Sequence, residues 1–453
     1  MYHKISLYHQ MITTMLLLFV IGYLGIALEH IFRINKSTFA LLLCGLLWAI
    51  YALFGNDANL SGDLLHAFGE TCEIIVFLIG AMTIVELIDR YGGFNFVVRH
   101  IYAKDKRGLM WVLVLVTFFL SAILDNMTTT IIMVMILRRM LSNKKERWIF
   151  ASVIVFAANA GGVWSPIGDV TTIMLWMKDY VTSANLLTNL FLPSLVAVII
   201  PTWIATHFVK SEMIEELNES DQRIGYVLSD HHPHASLLVF ILGVLGLISV
   251  PIFKAVTHLP PYMGVIFSLS ILWFITEIIV NKYMLDNKIE GRISQIVKSI
   301  DMSTILFFLG ILMAVSALSQ AGILREFATW LNDTFMDVYV ISGVVGVLSA
   351  IIDNVPLVAA CMNMYPAATD AIIVASSDPT FMSMFVQDGL FWMLLTFCAG
   401  FGGSMLIIGS AAGVVAMGIE KISFAWYFKK MALIIFLGYI AGMATIALQA
   451  MIF

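Results

Sequence analysis

Hydrophobic residues occupy this chain in long blocks, and the polar residues that interrupt them fall into a few recurring phrases. A helix needs about 20 residues to cross a bilayer. By that measure the apolar runs at 12–28, 38–54, 72–89, 149–177, 189–208, 236–253, 261–281, 302–320, 384–418 and 430–452 read as spans. Two further blocks are divided by a polar tip. Ser121-Ala-Ile-Leu-Asp-Asn-Met-Thr-Thr-Thr130 splits one, and Ser349-Ala-Ile-Ile-Asp-Asn-Val-Pro-Leu-Val358 splits the other. The arms beside each tip are too short to span as straight helices. Each block is therefore expected as a re-entrant hairpin, 109–142 and 338–375, with Asp-Asn at its tip. Backbone that leaves the helix at such depth is tolerated only inside protein or along a cavity, so two tips predict one cavity.

The runs 149–177 and 384–418 are too long or too rich in glycine for simple helices. Asn159-Ala-Gly-Gly-Val-Trp-Ser-Pro-Ile-Gly-Asp169 loosens the helix with glycine and removes a backbone donor at Pro166. Its Gly161-Gly162 and Gly168-Asp169 recur as Gly402-Gly403 and Gly409-Ser410, and Gly80 and Gly92 recur as Gly310 and Gly322. Close helix packing is the plain explanation for Gly80 and Gly310. The expected fold is an all-α polytopic membrane protein with two repeats, 1–208 and 236–453, joined by a cytoplasmic linker 209–235. Each repeat holds five spans, a re-entrant hairpin and a broken helix. Five crossings is an odd number, so the repeats are expected to be inverted, the architecture of secondary transporters.

Composition narrows the class and charge orients it. At 60% hydrophobic and 12% charged, the 453 residues leave no room for a sizeable soluble domain. The first hairpin is flanked by Arg90, Arg99, Lys104, Lys106 and Arg107 on one side and by Arg138, Arg139, Lys144, Lys145 and Arg147 on the other. Basic residues gather on the cytoplasmic side, so that mouth is expected to open there. The second has Arg325 among Glu326, Asp333 and Asp337, followed by Asp370 and Asp378, and is expected to open outward. Arg33/Lys36, Lys210/Arg223, Lys282–Lys298 and Lys421–Lys430 then fall in cytoplasmic loops, with both termini outside. The N-terminal run, preceded only by Lys4, is read as a first span and not as a cleaved signal. Cys44, Cys72, Cys361 and Cys398 lack metal or redox spacing and are read as packing residues. His231, His232 and His234 are read as part of a solvated loop, although histidine there could sense pH. No nucleotide-binding loop, phosphorylatable aspartate motif or catalytic triad is present. An ATP-driven pump, an enzyme, a cofactor and a nucleic-acid partner are accordingly not expected.

An intramembrane carboxylate is costly and is a functional candidate by default. Asp125 and Asp353, with Asn126 and Asn354 beside them, come first. Asp and Asn also cap helices, but capping alone does not account for a charge at depth in both halves. Asp169, Asn159, Thr171 and Thr172, with carbonyls freed by unwinding, make a hard-cation site, placing Na⁺ in the Asp125/Asp169 region. Ser121, Ser349, Thr128, Thr129, Ser404 and Ser410 supply further oxygens. Glu73 and Glu86 are possible proton acceptors, while Glu70 and Asp89 are read as interfacial ends of the third span.

At these residues the chain resembles the NhaD-type sodium/proton antiporters of the ion transporter superfamily, which also holds arsenite and dicarboxylate carriers. The phrases that carry the resemblance are Ala81–Glu86, Ser121–Thr130, Asn159–Thr172, Ser349–Ala360 and Gly402–Gly413. The resemblance implies that Ser121, Asp125, Asn126, Asn159, Asp169, Thr171 and Thr172 bind the cation with Ser349, Asp353 and Asn354. It also implies a homodimer and an elevator-like movement of the hairpin domain. A bacterial cytoplasmic membrane and a part in pH homeostasis are the matching expectations.

Chemistry argues for exchange independently of the resemblance. A cation held by buried carboxylates must leave when they protonate, so one site binds Na⁺ (or Li⁺) and H⁺ alternately. Mg²⁺ dehydrates too reluctantly for so few anionic ligands. The alternative is a carrier of a small anion or metalloid oxyanion on the same scaffold, with helix ends and hydroxyls around the anion. Carboxylates at both tips would repel such a substrate. A channel is disfavoured only by the inverted repeats.

Overall fold

The structure is a computed structural model describing all residues except 1, 28, 33, 56–58, 102, 211–232, 284–295, 299, 377 and 453. The described residues are helical with no strand. The first half comprises α1 (Tyr2–Ala27), α2 (Lys36–Phe54), α3 (Leu60–Arg90), α4 (Lys106–Ser121), α5 (Asn126–Met140), α6 (Lys144–Val163), α7 (Val170–Met177) and α8 (Phe191–Thr206). The second comprises α9 (Pro233–Thr257), α10 (Pro261–Tyr283), α11 (Met302–Gln320), α12 (Ile323–Phe335), α13 (Val338–Ser349), α14 (Asn354–Met364), α15 (Leu390–Gly402), α16 (Ala411–Glu420) and α17 (Leu433–Ile452). Shorter turns of helix join them.

Among the described residues, eight helices are long and apolar enough to cross a membrane. The two remaining expected spans are both broken, at 164–169 between α6 and α7 and at 403–410 between α15 and α16. Asp125 and Asp353 close the short breaks after α4 and after α13 as N-caps, and Asn126 and Asn354 open α5 and α14. Two boundaries differ from expectation. Helix α3 begins at Leu60 and not at 72, because the helix continues through Asp63, His66 and Glu70, beyond the point where apolarity stops. The arm α14 ends at Met364, and 370–375 and 379–383 are separate short helices, so the second pair is more compact than 338–375. The expected linker lies almost wholly outside the described residues, as do Arg33, Arg223, His231 and His232.

The core lies along the broken helices. Every residue of α6 from Phe150 to Val163 is buried, as is α15 from Phe391 to Gly402. The outer helices expose large apolar side chains, among them Leu17 and Ile21 of α1, Phe274 of α10 and Leu433 of α17. An apolar exterior of that extent suits lipid. First arms lie on the broken helix of their own half, α4 on α6 and α13 on α15. Second arms pack on their own half's broken helix and also reach the other half's, α5 on α6 and α16, and α14 on α15 and α7, with α14 resting on α11 as well. All four breaks are thereby drawn together.

Glycine makes that convergence possible. A Cβ at Gly161 would collide with the Phe118 carbonyl of α4, and one at Gly402 with the Gly346 carbonyl of α13. Gly310 lies against the backbone of Ala40 and Leu41, fitting α11 tightly to α2, and Gly80 lies against Val265 of α10. Gly92 and Gly322, just beyond the ends of α3 and α11, both take left-handed backbone, with φ of 70° and 78°, where a Cβ is disfavoured. Gly161→Ala is therefore expected to lower stability by about 1–3 kcal/mol through overpacking. Gly45→Ala, where nothing lies within 4 Å, is expected to be neutral or stabilising. Thermal unfolding of the two purified variants checks this, and equal melting temperatures would remove the close-approach argument.

Candidate ion-binding site

Asp169 stands at the junction of the four breaks. It caps α7, and only 1% of its surface is exposed. Oδ1 accepts from the Thr171 backbone N–H and hydroxyl, each at 3.0 Å. Oδ2 accepts from Asn126 Nδ2 at 2.8 Å and from Asn354 Nδ2 at 3.4 Å, so one oxygen takes a donor from each tip. Asn126 Nδ2 also donates to Asn159 Oδ1 at 3.0 Å. Asn159 Nδ2 in turn donates to Ser404 Oγ at 2.8 Å and to Ser410 Oγ at 2.9 Å, in the second broken helix. The network is buried throughout. Ser121 and Ser349 anchor the tips, donating to the carbonyls of Ala158 and Ala399 at 2.6 and 2.7 Å.

The two tip carboxylates have different surroundings. Asp125 caps α5, Oδ1 accepting from Thr128 N–H at 2.8 Å and Oδ2 from the Thr128 hydroxyl. It lines a cavity with ≈ 50 Å³ of room for water-sized molecules, walled by Phe77 and Met82 of α3 and Phe308 of α11. Asp125, Asn126 and Thr304 are the polar residues lining that cavity, whose volume suits a few waters or a partly hydrated ion. Asp353 caps α14 through Val355 N–H at 3.3 Å, and its Oδ2 pairs with Lys36 Nζ at 3.2 Å. Among the described residues, no lysine, arginine or histidine makes an ion pair with Asp125 or Asp169.

Of the remaining sequence candidates, Thr172 donates weakly to the Gly162 carbonyl at 3.5 Å, and the Thr129 hydroxyl is buried with no hydrogen-bond partner among the described residues. Glu73 is not hydrogen-bonded into the network. It lies partly exposed near Lys178, whose Nζ is 3.8 Å away and which pairs more closely with Glu70 at 2.7 Å. Glu86 pairs with Arg90 one turn on, at 3.3 Å. Two residues escaped the sequence reading. Lys36 is counted there with the loop charges, and its position at the first turn of α2 gives no hint of Asp353. Glu420, 2% exposed at the end of α16, pairs with Arg147 at 2.9 Å and Arg138 at 3.4 Å. Its signal was available: a lone acidic residue closing a broken helix, with an arginine pair opposite in the first half.

Chemically, the arrangement offers carboxylate, carboxamide and hydroxyl oxygens converging from four helix breaks, a donor set for a hard monovalent cation. A model of the citrate transporter family (CitMHS) matches residues 11–387. The chain is similar to sodium/proton antiporter 1 of Arabidopsis thaliana, 44% identical over 95% of this chain and 71% of that protein. It is 41% identical to sodium/proton antiporter 2 of the same plant, over 95% of this chain and 98% of that one. The Na(+)/H(+) antiporter NhaD of Vibrio cholerae is 30% identical over 94% and 89% of the respective chains. The crystal structure of the Alcanivorax borkumensis YdaH transporter shares the fold, with a TM-score of 0.56 at 11% identity, covering 92% of this chain and 97% of that chain.

Proposed function

The chain belongs to the citrate transporter (CitMHS) family as an NhaD-type member, and from that premise we propose that it exchanges Na⁺ or Li⁺ for H⁺ across its membrane. The observation that carries this reading is Asp169: a buried carboxylate held by four neutral donors. A buried charge needs a partner. With no basic side chain paired to it among the described residues, Asp169 is neutral only when it holds a proton or a cation, and those are the two loads of an exchanger.

The cargo ions need no resident cofactor. Asp125, facing the cavity, receives the incoming ion and Asp169 completes its shell. Asn126 and Asn354 turn their N–H groups to Asp169, whereas Asn159 turns its oxygen to Asn126 and its N–H groups to Ser404 and Ser410. Rotated by a half-turn about χ2 (χ3 being absent in asparagine), a carboxamide offers its oxygen to a cation instead. Thr171, Ser404 and Ser410 supply further oxygens, and Ser121 and Ser349 hold the tips in register. A small-anion carrier on this scaffold would meet two unpaired carboxylates and is not favoured.

We further propose that 1–208 and 236–453 are inverted repeats, that the protein works as a homodimer, and that both termini face outward in a bacterial cytoplasmic membrane. Support for the repeats comes from matched geometry: Ser121 with Ser349, Gly161 with Gly402, and Gly92 with Gly322. The plant relatives are more similar than the bacterial one and do not by themselves favour a bacterial membrane.

In reconstituted vesicles loaded with acid, external Na⁺ or Li⁺ is expected to drive proton exit with no organic anion or oxyanion added. Asp169→Asn, which can still cap α7, is expected to insert correctly and lose exchange, because asparagine neither protonates nor neutralises a cation. An absolute need for an added anion, or full activity in the inserted variant, would overturn the reading. The inverted repeats are tested by single cysteines in a background lacking the four native ones. Those near Lys104 and Lys144 are expected to react with impermeant reagents only from the cytoplasm, and those near Asp333 and Ser376 only from outside. Labelling of both sets from one face contradicts the arrangement.

A further inference from the structure

The two tips share Ser-Ala-Ile-x-Asp-Asn and then diverge, and three residues after the aspartate the first has Thr128 where the second has Pro356. Thr128 gives Asp125 both its backbone N–H and its hydroxyl, occupying both carboxylate oxygens locally. Proline has neither group to give. Asp353 keeps one cap, from Val355 N–H at 3.3 Å, and its second oxygen turns to Lys36 at 3.2 Å. The lysine is built into its position. Asn35 caps α2 through Ser37 N–H and also accepts from the Ser303 hydroxyl at the start of α11, fixing the first turn that carries Lys36. The Lys36 ammonium lies 4.2 Å from the centre of the Phe307 ring, where a cation is favoured. Side-chain exposures of 20% for Lys36 and 13% for Asp353 mean that the pair is largely shielded from water. Tyr23 lies beside it.

Resting on the cation-exchange reading above, we propose that Lys36 is a tethered cation that permanently fills the second half's carboxylate, leaving the Asp125/Asp169 region as the one place where a free cation binds. The lysine sets the number of ions per chain: one Na⁺ is exchanged, not two. Removing one member of a shielded pair leaves an uncompensated charge, and a small cation admitted to Asp353 would restore neutrality. Lys36→Gln therefore opens a second site with the same carboxylate–carboxamide character as the first.

The test is the number of ²²Na⁺ ions bound per full-length chain at saturation, by equilibrium dialysis of the purified protein. The expected counts are one for the wild type, two for Lys36→Gln, and one for Lys36→Gln combined with Asp353→Asn. Two ions in the wild type overturn the proposal, whether or not the variants fold. So does a count of one in folded Lys36→Gln, or a count of two in the double variant. A wild type that binds no Na⁺ overturns the exchange reading itself and the role of Lys36 with it.

Discussion

A carboxylate withdrawn from water and given no basic side chain must be neutralised by something that comes and goes. Asp169, which no basic side chain among the described residues pairs with, is such a group, and the architecture around it follows from the need to hold it. Its donors come from the first tip, the second tip and its own helix start, and through Asn159 the network extends to the second broken helix. Four interruptions of helix have to meet at one point for this to happen. Interrupted backbone carries unsatisfied donors and acceptors, so it survives in an apolar setting only where side chains or cargo complete it. Aspartate and serine at these breaks cap the backbone, and in the proposed exchange the same side chains would also ligate the cargo.

Asymmetry between the halves gives the site its sense. The first half supplies Asp125, Asn159 and Asp169 at positions where the second has Asp353, Gly400 and Ser410. Gly400 lies beside Asp169 and Thr171, and a Cβ there would meet Val163 Cγ2 of α6 at 2.5 Å, so the glycine lets α15 approach α6 closely. Asp353, the remaining acidic group of the second half near the hub, has its own lysine. Cross-packing of α5 on α16 and of α14 on α7 ties each tip to the opposite broken helix. The Glu420 carboxylate, shared between Arg138 and Arg147, fastens α16 to the basic mouth of the first helix pair. A shift of one tip therefore cannot be independent of the other half.

Much of this was legible in the sequence, for a simple physical reason. Polar residues in a long apolar stretch are expensive, so Asp125, Asn126, Asn159, Asp169, Asp353 and Asn354 stand out without any alignment. The glycines that permit close approach are equally visible because they recur at matched spacings. The membrane class and the exchanger reading followed from the same pattern. What was not legible is pairing at long range. Lys36 reads as one more basic residue at a helix start, and only folding brings it across 317 positions to Asp353. Glu420 sits beside Lys421 and passes for an interfacial charge, while its true partners lie more than 270 positions away. Apolar runs also misjudge where α3 begins, because a helix can continue past the point where its side chains stop being greasy.

The proposed exchange requires Na⁺ and H⁺ to compete for one buried carboxylate. Proton release on Na⁺ addition tests it most directly, using purified protein in weakly buffered solution with a pH-sensitive dye, near the pH at which the site is half protonated. Saturating Na⁺ is expected to release protons from the wild type and none from Asp169→Asn. Stoichiometric Na⁺ binding to the wild type with no proton release at any pH where it binds would contradict it.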